Sequence, residues 1–139
     1  MSTVHSSPDA GLSPRVKAVF DDIRATRGSD FINHFWRYLA FDPPLLESTW
    51  AEVKRVMATP SALDPLTKEL LYIAVSVANG CGYCVHSHTA AARAKGMTPA
   101  MFHELLAVVA LANKTNRLAN GYRIDVDPGF RDPLGTGKV

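Results

Sequence analysis

Four times in this chain a good capping residue is followed at once by proline, at Ser13-Pro14, Asp42-Pro43, Asp64-Pro65 and Thr98-Pro99. Proline has a fixed φ and no N–H, which suits the first position of a helix. A Ser, Thr or Asp side chain just before it can accept a hydrogen bond from the N–H groups that follow. Each pair therefore predicts a helix start. Behind the first, Val16, Val19, Phe20 and Ile23 share one face of a helix that stops near Gly28. A second helix is expected from Ser29 or Asp30, carrying Phe31, Phe35, Tyr38 and Leu39. The third follows Asp42 with Leu46, Trp50, Val53 and Met57 and ends before Pro60. A fourth runs from Pro65 to about Ala78, a fifth closes on Gly96, and a sixth runs from Pro99 to about Leu118 with Met101, Leu105, Val108, Val109 and Ala112 inward. Sustained period-two alternation is nowhere found, so a sheet has little to build from. The fold class is all-α, a bundle of about six helices.

The 139 residues, 47% apolar and 20% charged, suit one globular domain with one core. Residues 1–12 read as a flexible N-terminus, 13–120 as the helical domain, and 121–139 as an extended arm carrying Pro128, Gly129, Pro133, Gly135 and Gly137. Fifteen basic residues against 13 acidic ones leave a net charge of only +2, and the basic residues are scattered, so no nucleic-acid partner is expected. The start has no basic segment followed by an apolar one, and no apolar run approaches the roughly 18 to 20 residues of a membrane span. No membrane association is expected, and the cytoplasm is the expected location.

Cys81 and Cys84 are the only two cysteines. They lie in Asn79-Gly80-Cys81-Gly82-Tyr83-Cys84-Val85-His86-Ser87-His88, where Asn79-Gly80 interrupts an apolar run and an Ala-rich stretch then leads to Gly96. The CxxC is thus expected at the start of a helix. Unpaired N–H groups and the partial positive charge there favour a thiolate over a thiol, whose free pKa is about 8.5. Cys84 and His88 are one helical turn apart, so an imidazole on that face could take a thiol proton directly or through water. His86 should point elsewhere, and His5, His34 and His103 have no evident partner. In the cytosol a CxxC is more often catalytic or metal-binding than a structural disulfide. A zinc site from Cys81, Cys84 and His88 would need a fourth ligand, and no second Cys/His cluster is evident. A thioredoxin-type site would need a βαβ setting, and a covalent haem site a histidine where this chain has Val85.

Glu69 precedes the CxxC on the fourth helix, among Leu66, Leu70, Leu71 and Ile73. Without a known crossing geometry, periodicity does not decide whether its carboxylate reaches the thiols. The constellation Glu69, Cys81, Cys84, His88 and Gly96, within Lys68-Glu69-Leu70 and Val75-Ser76-Val77-Ala78-Asn79-Gly80-Cys81 onward, strongly resembles the core motif of the AhpD-like alkylhydroperoxidases of the carboxymuconolactone decarboxylase superfamily. The resemblance covers about Leu63 to Asn116. The flanking segments are closer to the general peroxidase-related members than to the best-studied alkylhydroperoxidase, a longer chain with a duplicated helical arrangement.

The resemblance implies an all-helical, oligomeric protein, a trimer or hexamer, that reduces hydroperoxides without a cofactor or metal and is recycled by an external dithiol. Carried over by motif position, Cys84 would be the peroxidatic thiol and Cys81 the proton donor and resolving thiol, with His88 and Glu69 as the proton relay. Where the best-studied members have a histidine before the second cysteine, this chain has Tyr83, a phenol of pKa about 10 that can donate a hydrogen bond or wall a pocket. Two other classes compete. The decarboxylase-type lyases of the superfamily generally lack the CxxC, and a non-enzymatic thiol redox sensor would need the same reactive dithiol.

Overall fold

The computed structural model describes residues 11–131; most of the N-terminal segment, with His5, and the end of the C-terminal arm lie outside the described residues. Among the described residues there are six α-helices and no strand: α1 (Pro14–Arg27), α2 (His34–Leu39), α3 (Pro43–Val53), α4 (Pro65–Ala78), α5 (Gly82–Ala94) and α6 (Pro99–Tyr122). The all-α expectation holds. Each capping-residue–proline pair starts a helix. The side chains of Ser13, Asp42 and Thr98 accept from the N–H of Val16, Leu45 and Met101 at 3.3, 3.1 and 3.2 Å.

The chain divides between Pro65 and Leu66 into two compact units. Where composition suggests one core, each unit buries its own apolar cluster. In the first, Val16, Val19, Phe20 and Ile23 of α1 pack with Ile32, Trp36, Leu46 and Trp50. The Trp36 and Trp50 rings meet edge to face with centroids 5.4 Å apart, the arrangement the ring quadrupoles favour. The Arg27 guanidinium lies 5.6 Å from both ring centroids. Trp50 donates its indole N–H to Asp22 at 2.6 Å, and Lys54 reaches the same carboxylate at 2.7 Å.

Two elements of this unit differ from the sequence reading. The second helix begins at His34, not near Ser29, because Gly28 ends α1 in the left-handed region and Ser29 Oγ accepts from the Phe31 N–H, holding the connection out of a helix. Ile32 therefore enters the core from non-helical backbone and Trp36 sets the buried face, while Phe31 is 69% exposed. After α3 the last turn, Lys54–Ala58, widens to π-helical bonding. The chain leaves it at Thr59 in an extended conformation, as the residue before Pro60 requires.

In the second unit Ile73 of α4, Ala92 of α5 and Met97 form the buried cluster, against which Leu66, Leu70, Val77, Met101, Phe102 and Leu105 pack. Helix α6 continues through Gly121 to Tyr122, past the Leu118 expected, and ends at Arg123 in the left-handed region. Val109 is buried as expected, but Val108 is 61% exposed. The apolar residues of α6 occupy more of its circumference than one helical neighbour can cover, and Leu111 and Leu118 stay exposed with Val108.

These burial differences set the stability effects expected of truncations. Leu46 is fully buried, so Leu46→Ala should lower the unfolding free energy by about 2–5 kcal/mol in urea titrations. Leu71→Ala, at an exposed site, should change it by no more than about 0.5 kcal/mol.

Candidate active site

The site is built on the turn between α4 and α5. Gly80, at φ +72°, lets α4 close with two reversed bonds, from the Gly80 N–H to the Val77 carbonyl (3.2 Å) and from the Cys81 N–H to the Ser76 carbonyl (2.9 Å). This is the Schellman arrangement, and it needs a left-handed residue where glycine stands. Cys81 is at once the residue that completes this C-terminal motif and the N-cap of α5, because its sulfur accepts from the Cys84 N–H at 3.2 Å. The helix start expected at the CxxC is therefore present. Cys81 and Cys84 are joined as a disulfide with their Cα atoms 5.3 Å apart. Both are partly buried, and Tyr83 between them is half exposed.

One turn beyond Cys84, His88 places Nδ1 2.7 Å from Oε2 of Glu69. Glu69 is only 6% exposed. Its other oxygen, Oε1, accepts from Nζ of Lys95 at 3.0 Å. The Tyr72 ring lies against the imidazole, with centroids 3.6 Å apart and 19° between the planes. The carboxylate left undecided by periodicity thus bonds directly to the histidine, at a position on α5 between the CxxC and the helix end. Burial pushes the Glu69 carboxyl up, but the hydrogen bonds from His88 and Lys95 outweigh it and hold the group below its ordinary carboxylate value.

Glu69 and His88 are brought together, and Cys81 and Cys84 are brought together at the start of the helix that carries His88. His34, His86 and His103 are exposed. Sequence reading passed over Tyr72 and Lys95. Tyr72 is three residues after Glu69 and so shares its helix face, a signal open to inspection. Lys95 looks like an ordinary basic residue at a helix end, and its bond to Glu69 appears only once α4 and α5 are placed.

Fold and site together define an all-helical protein with a CxxC dithiol at a helix N-terminus and a carboxylate–histidine pair one turn behind it. The chain belongs to the carboxymuconolactone decarboxylase family, whose model matches residues 44–126, and within it is AhpD-like. It is 31% identical over 101 residues to the alkyl hydroperoxide reductase AhpD of Solibacter usitatus (strain Ellin6076), a match covering 73% of this chain and 55% of that protein. The chain thus spans about half the length of this curated relative. It is 61% identical to the crystal structure of the alkylhydroperoxidase AhpD core from Rhodospirillum rubrum ATCC 11170, with a TM-score of 0.90 over 94% of this chain and 98% of that one.

A carboxyl held low in the folded state stabilises the fold above its unfolded pKa, and that contribution is lost as pH falls through the folded value. Glu69→Gln should therefore be less stable than the parent at pH 7. The gap in urea midpoints should close as the pH is lowered past the depressed Glu69 titration. A gap that stayed constant into acid would show that the Glu69 charge does not stabilise the fold.

Proposed function

We propose that the chain is a thiol-dependent peroxidase that reduces hydroperoxides through Cys81 and Cys84 and is recycled by an external dithiol. The observation that carries this reading is the CxxC disulfide at the start of α5, one turn from a histidine hydrogen-bonded to a buried carboxylate.

In the reduced protein His88 accepts the Cys84 proton, directly or through water. The Cys84 thiolate attacks the distal peroxide oxygen, the O–O bond breaks, and the alkoxide leaves as an alcohol after taking a proton from Cys81 or the relay. Cys84 is then a sulfenic acid. The Cys81 sulfur attacks it, the S–S bond forms, and the S–O bond breaks with loss of water. An external dithiol returns two electrons and two protons and leaves as its own disulfide. The Cys84 N–H that bonds the Cys81 sulfur stabilises negative charge there. Tyr83 borders the thiols as a donor or a wall rather than a base.

The cytoplasm, whose reducing poise would supply such a dithiol, is the proposed location. Among the described residues no helix is long and apolar enough to cross a membrane. A homo-oligomer, trimer or hexamer, is proposed as well. The exposed Val108, Leu111 and Leu118 of α6, with Ile124, Val126 and Phe130 of the arm, supply apolar surface for a second copy to cover. Light scattering that returned a monomer would remove this part of the reading.

Reduced protein should consume hydrogen peroxide and an organic hydroperoxide and lose about two mass units per chain, and prior alkylation should block both. Cys84→Ser should abolish turnover. Cys81→Ser should still form a sulfenic acid, trapped by a dimedone probe, but should not recycle. Multiple turnover in Cys84→Ser would sink the proposal.

A further inference from the structure

A histidine that is to take a proton from a thiol must be neutral at rest, and the carboxylate beside His88 works against that. Glu69 is buried, and a buried anion needs a cation. If His88 were the only partner, the cheapest state of the pair would hold one more proton, as imidazolium beside carboxylate or as imidazole beside carboxylic acid. In either case the pair is already protonated when the thiol offers its proton. The structure supplies a second cation. Lys95 bonds Oε1 at 3.0 Å while His88 bonds Oε2 at 2.7 Å, so the two oxygens are divided between a lysine amine and the relay.

We infer that Lys95 is a positioning residue for this site, its ammonium supplying the counter-charge that leaves Glu69 ionised and His88 a neutral base. The inference rests on the peroxidase reading above and deepens it. With Glu69 ionised, Oε2 only accepts, so Nδ1 of His88 carries the ring proton and Nε2 is the nitrogen left to act as base. The Tyr72 ring, stacked on the imidazole, restricts its rotation about χ2 and keeps that assignment in place.

Lys95 is held where it can do this by the end of α5. Its N–H bonds the carbonyls of Ala91 and Ala92 at 3.2 and 3.0 Å, and Gly96 at φ +98° then turns the chain so that the Met97 N–H closes on Ala92 at 2.9 Å. Of the titratable groups among the described residues, Glu69 and Tyr72 from α4 meet His88, and Lys95 at the end of α5 meets Glu69. The Cys81–Cys84 pair lies one turn ahead of His88 on α5, and Lys68 is the other buried charge of α4. Helix α6 presents Met101, Phe102 and Leu105 to the neighbouring cluster, and none of them titrates.

The test is the His88 titration, followed by imidazole NMR in the reduced protein, together with the pH profile of kcat/KM for an organic hydroperoxide. In Lys95→Met the His88 midpoint should rise by about one unit, and the acid limb should move with it, about tenfold in rate below the midpoint. Lys95→Arg should restore both. Lys95→Gln, which keeps an N–H donor for Oε1 without the charge, should behave like Lys95→Met and gives the same reading if the Met variant folds poorly. A His88 midpoint unchanged in the Met and Gln variants would overturn the inference, even if their melting temperature fell, since a purely structural lysine would lower stability alone. A raised midpoint in Lys95→Arg would overturn it equally. The NMR titration needs no turnover, so absence of peroxidase activity in the parent would refute the function while the role of Lys95 was still decided.

Discussion

A carboxylate as deeply buried as Glu69 can stay charged only if the fold surrounds it with donors, and both of its donors come from the next helix. Losing one partner of a fully buried pair commonly costs about 3–5 kcal/mol, and the loss is smaller here because the Lys95 side chain is 37% exposed and that of His88 23%. The register between α4 and α5 is therefore held by these bonds together with the apolar cluster of Ile73, Ala92 and Met97. A slip of either helix by one residue would carry His88 or Lys95 off the carboxylate face, because neighbouring positions on a helix point about 100° apart. On the proposed function, orientation of the relay and helix register thus draw on the same three side chains.

The dithiol is placed by a second economy, in which one residue serves two helix ends. The Cys81 N–H completes the C-terminal motif of α4, and its sulfur caps α5. Magnitudes show what this does and does not achieve. A charge at a helix terminus gains roughly 0.3–1 kcal/mol when exposed and about 2 kcal/mol when partly buried. One pK unit corresponds to about 1.4 kcal/mol. The helix end therefore lowers a thiol's pKa from its ordinary value. In the proposed reaction a base one turn away removes the proton that the helix end makes easier to lose. On the proposed function the helix N-terminus and the Glu69–His88 pair are complementary, one favouring the thiolate and the other taking its proton.

What the sequence made legible was local. The capping-residue–proline pairs act through neighbouring φ angles and N–H groups, so they mark helix starts without any knowledge of the fold. Cys81, Cys84 and His88 could be grouped because helical periodicity alone relates them, and Glu69 joined them through a resemblance. The second helix was misplaced because Phe31 and Phe35 suggest an apolar face, whereas a Ser29 hydroxyl and a left-handed Gly28 decide the backbone there and hand the core position to Ile32. Val108 was read as inward because periodicity reports which residues are apolar, not whether a neighbour exists to cover them. Tyr72 shares a helix face with Glu69 and was open to inspection, whereas the meaning of Lys95 lies in a contact across the turn between α4 and α5.

Tyr83 gives the relay its weight. A phenol cannot accept a proton at neutral pH, so replacing an imidazole by tyrosine just before Cys84 removes a base from the immediate surroundings of the thiols. His86 is exposed, two residues from Cys84 and away from its helix face. On the proposed function the proton traffic of both half-reactions then falls, among the described residues, on His88, which would accept a proton as the thiolate forms and return it as the leaving oxygen departs. A base used in both directions works best when its two protonation states are close in energy. An imidazole beside a lone buried carboxylate would be biased toward the charged form. On the role proposed for Lys95, dividing that carboxylate between His88 and Lys95 removes this bias, which would give a physical reason for a lysine at the end of α5 in a chain that has tyrosine before its second cysteine.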